Sequence, residues 1–166
     1  MRHKSLKKAN CPIARSLERV GEWWSILILR DALHGYTRFE EFRESLDIAP
    51  NMLTRRLNAL VEAGFLERRQ YSAHPPRYEY MPTARGRDFR PVLLSLMVFG
   101  NRHFAPEGAM VEVVNTATGE PADIGLVDRV TGLAIAAPAY AMVAGPAANA
   151  RIRKRYARRK VEAGAA

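Results

Sequence analysis

The sequence predicts a mainly α fold with a small β component (α+β), and three observations carry that expectation. Four segments before residue 63 space their apolar residues as helices do. Two segments between residues 65 and 81 alternate with period two. A long apolar helical pattern then runs from Thr83 to about Phe104.

Taken in order, residues 12–20 set Ile13, Ala14, Leu17 and Val20 along one side of a short helix, with Pro12 in its first turn and Gly21 at its end. Glu22 to His34 follows, and its run Trp23-Trp24-Ser25-Ile26-Leu27-Ile28-Leu29 is apolar nearly all round. That pattern belongs to a helix at the centre of a bundle. Gly35 ends it. Thr37 is expected to cap a third helix, with Glu40 three residues on completing a capping box and Phe39, Phe42 and Leu46 facing inward.

The turn Asp47-Ile48-Ala49-Pro50 leads into a fourth helix, Pro50 to Glu62. Its buried stripe is Leu53, Leu57, Leu60 and Val61, and Asn51, Thr54, Arg55 and Asn58 fall opposite. Ala63-Gly64 stops it. Residues 65–71 and 77–81 then read as two strands of a hairpin. Between them, Ser72-Ala73-His74-Pro75-Pro76 is expected to be a loop that continues neither strand. In the long helix capped by Thr83, Phe89, Val92, Leu93, Leu96, Met97, Val98 and Phe99 are apolar. Pro91 should kink it or interrupt its hydrogen bonding.

From Met110 the texture turns to β. Val111–Val114 and Ile124–Val127 read as short strands, each followed by a similar turn, Asn115–Gly119 and Asp128–Gly132. This weak internal repeat has the spacing of paired zinc-ribbon knuckles, but Asn115, Thr118, Asp128 and Thr131 stand where four thiolates would have to be. No metal is expected there. The chain is thus divided into a main domain (1–105), a small β-hairpin extension (106–148) and a basic C-terminal helix or tail (149–166).

Charge follows the same division. Of the formal +9, residues 1–104 contribute +7, residues 105–150 contribute −4 and residues 151–166 contribute +6. A basic surface attracts polyanions and releases their counterions on contact. No apolar stretch approaches the ~20 residues of a membrane span, and no apolar run follows the basic start. A cytoplasmic location is therefore expected. A single cysteine, Cys11, excludes an internal disulfide and any multi-thiolate zinc site. His3, His34, His74 and His103 are dispersed, Ser25 and Ser95 lack a basic partner, and no glycine-rich phosphate loop occurs. Neither enzymatic activity nor a cofactor is expected.

Helix, tight turn, helix and a basic-tipped hairpin form, in that order, a winged helix-turn-helix. The fourth helix fits the ~12 Å major groove of DNA and offers Asn51, Met52, Thr54, Arg55 and Asn58 to it. Asn pairs bidentately with adenine and Arg with guanine, while Thr reaches a phosphate or a thymine methyl. Arg56 is expected on the sugar-phosphate backbone, and Arg68, Arg69, His74 and Arg77 on the phosphates beside the hairpin, or wing. The plainer account, in which polar residues opposite a leucine stripe are merely solvated, applies to the helix alone and not to the whole arrangement.

Several runs carry a closer likeness: Cys11-Pro12-Ile13-Ala14, Trp24–Asp31, Arg38-Phe39-Glu40-Glu41-Phe42, Leu53-Thr54-Arg55-Arg56-Leu57, Glu62–Arg68 and Pro75–Tyr80. Over about residues 10–104, without a gap, the chain resembles the HxlR family of winged-helix transcriptional regulators, and its tail looks like that of longer members. The resemblance implies a homodimer joined through the first and last core helices, with Ile13, Leu17, Leu93, Leu96, Met97 and Phe99 at the interface. It also implies a pseudo-palindromic double-stranded DNA operator, with Arg38 on a phosphate. Where such sequences carry Lys or Arg, this one has Trp23, so a backbone contact is missing or an apolar group packs on the indole.

Cys11 has two readings. Relatives sense oxidants or electrophiles with a cysteine at this place, and a helix N-terminus near Lys7 and Lys8 favours a thiolate. A lone cysteine is also simply a small apolar residue. Trp23, Trp24 and Phe99 are expected beside a pocket for a small-molecule effector. For the basic tail, a solvated helix, an added DNA contact and a partner-binding element all remain open. The expected function is transcriptional regulation, with repression by promoter occlusion as its output; the alternative is a winged-helix module that binds protein instead of DNA.

Overall fold

A computed structural model describes residues 5–162. Its elements are α1 (Pro12–Val20), α2 (Trp23–Leu33), α3 (Phe39–Leu46), α4 (Pro50–Glu62), β1 (Leu66–Ala73), β2 (Pro76–Pro82), α5 (Ala84–Arg87), α6 (Arg90–Phe104) and α7 (Ala150–Glu162). This is the α+β winged helix-turn-helix that the sequence predicts. The basic tail falls on α7; its side chains from 158 onward and residues 163–166 lie outside the described residues.

The core sits where α2, α3, α4 and the hairpin meet. Ile28 and Leu29 of α2, Phe42 of α3, Leu53, Leu57 and Leu60 of α4 and Leu66 of β1 are fully buried. Trp24, Phe39, Leu46 and Phe89 pack around them, partly covered. Among the described residues, the two buried polar side chains, Ser25 and Asp31, are both on α2. Asp31 is satisfied: Arg30 Nε donates to its Oδ1 at 2.8 Å and Ser45 Oγ to its Oδ2 at 2.7 Å, which ties α3 to α2.

Three local expectations are corrected. The cap of α3 sits one residue later than Thr37: Arg38 is the N-cap, and the carboxylate of Glu41, not Glu40, accepts the N–H groups of Thr37 and Arg38, each at 2.8 Å. Glu40 instead pairs with Arg43 at 2.9 Å. The hairpin loop is shorter than expected, because Ser72 pairs with Arg77 and Ala73 with Pro76, leaving His74 and Pro75 as the turn. A proline at a strand end costs the ladder little, since the missing donor lies at the margin of the sheet.

The long helix after Thr83 is two helices. Thr83 Oγ1 accepts the N–H of Gly86 at 3.1 Å and so caps α5, and the path turns at Asp88-Phe89 before Pro91 opens α6. Proline has no N–H to give and crowds the carbonyl four residues back, which favours the interruption found here. A Cβ on Gly86 would collide with the carbonyl oxygen of Phe65, so this position needs a bare backbone. At the end of α4, Gly64 takes φ 73°, the left-handed turn that aims β1 back along the core.

In the extension, the two expected strands are reduced to single bridges, Val114 with Pro121 and Val127 with Ala134. The repeat itself is regular. Asn115 N–H donates to Glu120 O and Ala122 N–H to Val113 O; thirteen residues on, Asp128 N–H donates to Leu133 O and Ile135 N–H to Leu126 O. Gly119 and Gly132 close the two turns at φ 76° and 73°. Asp128 Oδ2 also accepts the hydroxyls of Thr131 and Tyr140, each at 2.9 Å, so a hydrogen-bonded carboxylate occupies the second knuckle.

Candidate nucleic-acid interface

The leucine stripe of α4 fixes which side of that helix is free. With Leu53, Leu57 and Leu60 buried, Asn51, Thr54, Arg55 and Asn58 are exposed together. The Thr54 hydroxyl is turned back, donating to Pro50 O at 2.9 Å. Arg55 donates from Nη2 to the Met52 sulfur at 3.1 Å. Met52 packs partly against the core and its sulfur meets the Arg55 guanidinium.

Arg56 is placed elsewhere. Its side chain is only 16% exposed, and Nη2 donates to Glu22 Oε2 at 2.8 Å, which locks the start of α2 to α4. Its Nε is buried with no partner among the described residues. Arg56 therefore lies off the face that carries Arg55.

The hairpin holds its arginines in different ways. Arg69 is engaged by Glu79 of the opposite strand at 2.6 Å. Arg68 lies over the ring of Tyr78, its guanidinium carbon 3.5 Å from the centroid. Arg77 and His74 are exposed near the tip. The register slips between Gln70 and Ser72, which leaves Tyr71 as an extra residue in β1. Such a bulge re-aims a side chain. Here the Tyr71 ring meets Arg38, whose guanidinium carbon is 5.1 Å from the centroid.

Arg38 is consequently fixed at both ends. Its backbone is capped by Glu41, and its side chain stacks on the wing. The N–H groups of Arg38 and Thr37 stabilise the ionised form of Glu41 and hold its carboxyl below the usual range. Tyr80 N–H adds a bond to Thr37 O at 2.7 Å, so the start of α3 and β2 form one unit. A surface cavity of about 640 Å³ lies between them, lined by Phe39, Glu44, Tyr71, Arg77 and Tyr80 among others.

Tyr71, Tyr78 and Glu22 are the residues that sequence reasoning missed. The alternating strand pattern marked both tyrosines as strand residues, but it carries no signal for which arginine each would meet.

The remaining sequence-derived candidates lie away from this face. Ile13, Leu17, Leu96 and Phe99 are exposed on α1 and α6, and Leu93 and Met97 are half-buried. Trp23 is 65% exposed and rests against Trp24, ring centroids 4.7 Å apart. Cys11 is half-buried at the N-cap of α1, beside a cavity of about 490 Å³ that Lys8, Arg151 and Arg155 also line. Among the described residues no cluster of three His, Cys, Asp or Glu side chains could hold a metal, and no helix is long and apolar enough to cross a membrane.

Comparison with known proteins gives a consistent picture. The model of the HxlR-like helix-turn-helix family matches residues 19–108. The uncharacterized HTH-type transcriptional regulator Rv3095 of Mycobacterium tuberculosis is 37% identical over 141 residues, 84% of this chain and 89% of that protein. Among solved structures, PA1374 of Pseudomonas aeruginosa, described as a candidate transcription factor, is 57% identical with a TM-score of 0.64, covering 87% of this chain and 99% of that one. The redox regulator HypR in its oxidized form is 32% identical with a TM-score of 0.52, covering 56% of this chain and 97% of its own. With a winged helix-turn-helix in place, a free polar face on its fourth helix and the family match over residues 19–108, the chain belongs to the HxlR-like helix-turn-helix family of transcriptional regulators.

Proposed function

We propose that the chain binds a pseudo-palindromic operator as a homodimer and represses transcription by occluding a promoter. The observation that carries this reading is the exposed set Asn51, Thr54, Arg55 and Asn58 on α4, together with exposed Arg38 and the exposed wing arginines Arg68 and Arg77. In this reading α4 enters the major groove, its polar side chains read base edges, and the flanking arginines bind phosphates and set the register. The exposed apolar residues of α1 and α6 supply the dimer contact. The two recognition helices then meet successive major grooves about one helical turn apart.

A response to a small molecule or electrophile fits the same architecture. Cys11 begins α1, so its modification would act directly on a helix that the dimer uses, and Trp23 with Trp24 offers an aromatic surface nearby. Comparing operator affinity before and after diamide, in the wild type and in Cys11→Ser, tests the thiol. An unchanged affinity removes Cys11 from regulation.

Selection of bound duplexes from a random pool at physiological salt tests the main reading. A two-fold sequence enriched as a dimer-sized complex is the expected result. Failure to enrich any sequence would leave the protein-binding use of the winged helix as the better account.

A further inference from the structure

The extension poses a problem that the core does not. From residue 105 to residue 150 no side chain is buried, although the backbone makes two regular hydrogen-bonded knuckles. Large apolar residues lie open along it: Val111, Leu126, Leu133, Ile135 and Met142 are each 48–63% exposed, and Val130 at a knuckle tip is 93% exposed. A segment of this kind has ordered turns and no core of its own. Its apolar surface needs a cover from outside.

The area at stake is large. The chain exposes 13263 Å². A compact monomer of its 18.6 kDa mass would expose about 8,200 Å². The excess over the whole chain, roughly 5,000 Å², is well beyond the ~800 Å² that each partner contributes to a standard interface.

We infer that the extension is a second dimerisation element, docking on the other copy of this chain beside the α6 contact; the inference rests on the homodimer reading above. Two observations select a second copy as the occupant. Charge is the first: residues 105–150 carry −4 whereas residues 1–104 carry +7, so the segment is attracted to another core and repelled by DNA phosphates. Continuity is the second. Asn101 Nδ2 of α6 donates to Val111 O at 2.9 Å, and exposed apolar residues lie on both sides of that bond, Phe99 and Phe104 on α6 and Met110 and Val111 after it. The extension therefore prolongs the same apolar surface as the dimer helix. It is also shared by a relative of full length, since the match to PA1374 covers 99% of that chain, while HypR covers only 56% of this one.

Sedimentation velocity over a concentration series, on the full chain, tests the inference. The double variant Leu126→Asp with Leu133→Asp should raise the dimer dissociation constant roughly tenfold or more, since it places charge in an apolar contact. Leu126→Met with Leu133→Met should leave it within about twofold. A wild-type dimer that Leu96→Asp dissociates but the two aspartates leave unchanged would overturn the inference and spare the homodimer reading. A monomeric wild type would overturn both. Should the aspartates unfold the extension, isotope-filtered NOEs in mixed dimers of carbon-13-labelled and unlabelled wild-type chains decide the question. NOEs from the Leu126 or Leu133 methyls of one chain to the other chain support the docking, and NOEs confined to one chain overturn it.

Discussion

Arg38 lies over Tyr71, its guanidinium carbon 5.1 Å from the ring centroid, so the cap of α3 and the bulge of β1 hold one cation between them. The contact restrains a flexible side chain against a single aromatic ring. Arg38→Ala should weaken operator binding and lower the salt slope by about 1. Tyr71→Leu should reproduce part of the affinity loss, and the two changes should couple by roughly 0.5–1 kcal/mol in a double-mutant cycle measured by fluorescence anisotropy. Strict additivity would separate Tyr71 from the function of Arg38.

Arg55 and Arg56 are adjacent and should fail differently. Arg55→Ala should cost about 1–3 kcal/mol of operator affinity if it pairs with a guanine, with the cost concentrated at one base position. Arg56→Ala removes a covered side chain and its ion pair to Glu22, so its effect should be on stability, about 1 kcal/mol by urea denaturation. A normal unfolding midpoint for Arg56→Ala, together with weakened DNA binding, would reverse that assignment.

Asp31 is 4% exposed and accepts from both Arg30 and Ser45. Replacing it with alanine strands the Ser45 hydroxyl and removes charge-assisted bonds, and should destabilise the fold by about 2 kcal/mol. Asp31→Asn keeps the shape and one acceptor, so its loss should be smaller. Chemical denaturation of both variants checks the order.

Asp128 supplies the pH test. The Val130 N–H and the Thr131 and Tyr140 hydroxyls favour its ionised form, which lowers its pKa in the folded chain. A lowered folded pKa gives stability that is present above the unfolded value, near 3.9, and is lost as pH falls through the folded one. The second knuckle should therefore lose amide protection on acidification into that range. Tyr140→Phe should move the carboxyl back up toward its ordinary value, as followed by carboxyl NMR titration. An Asp128 titration that is the same in both proteins would count against the hydrogen-bonded carboxylate.

Much of the fold was legible before any coordinates. The helices α1, α2 and α4 follow from apolar spacing, and Pro12, Gly21 and Gly64 mark their ends, because these signals act within a few residues. Errors arose where two local signals competed. Thr37 is the better capping residue by type, yet Arg38 occupies the cap because Glu41 closes on the two N–H groups and β2 fixes Thr37 O. Likewise, Pro75 and Pro76 read as a loop, while cross-strand pairing carries the ladder through Ala73 and Pro76.

The sequence by itself determined the order of the elements, the leucine stripe of α4 and, from it, the polar face that Asn51, Thr54, Arg55 and Asn58 share. Periodicity is a local property, so the chain alone can state it. Only the tertiary structure decided which partner each arginine meets. Arg55 and Arg38 remain on the surface, Arg69 is held by Glu79, and Arg56 is taken by Glu22 from 34 positions away. Such pairings depend on how helices and hairpin pack in space, and electrostatic partners chosen by packing leave no trace in spacing.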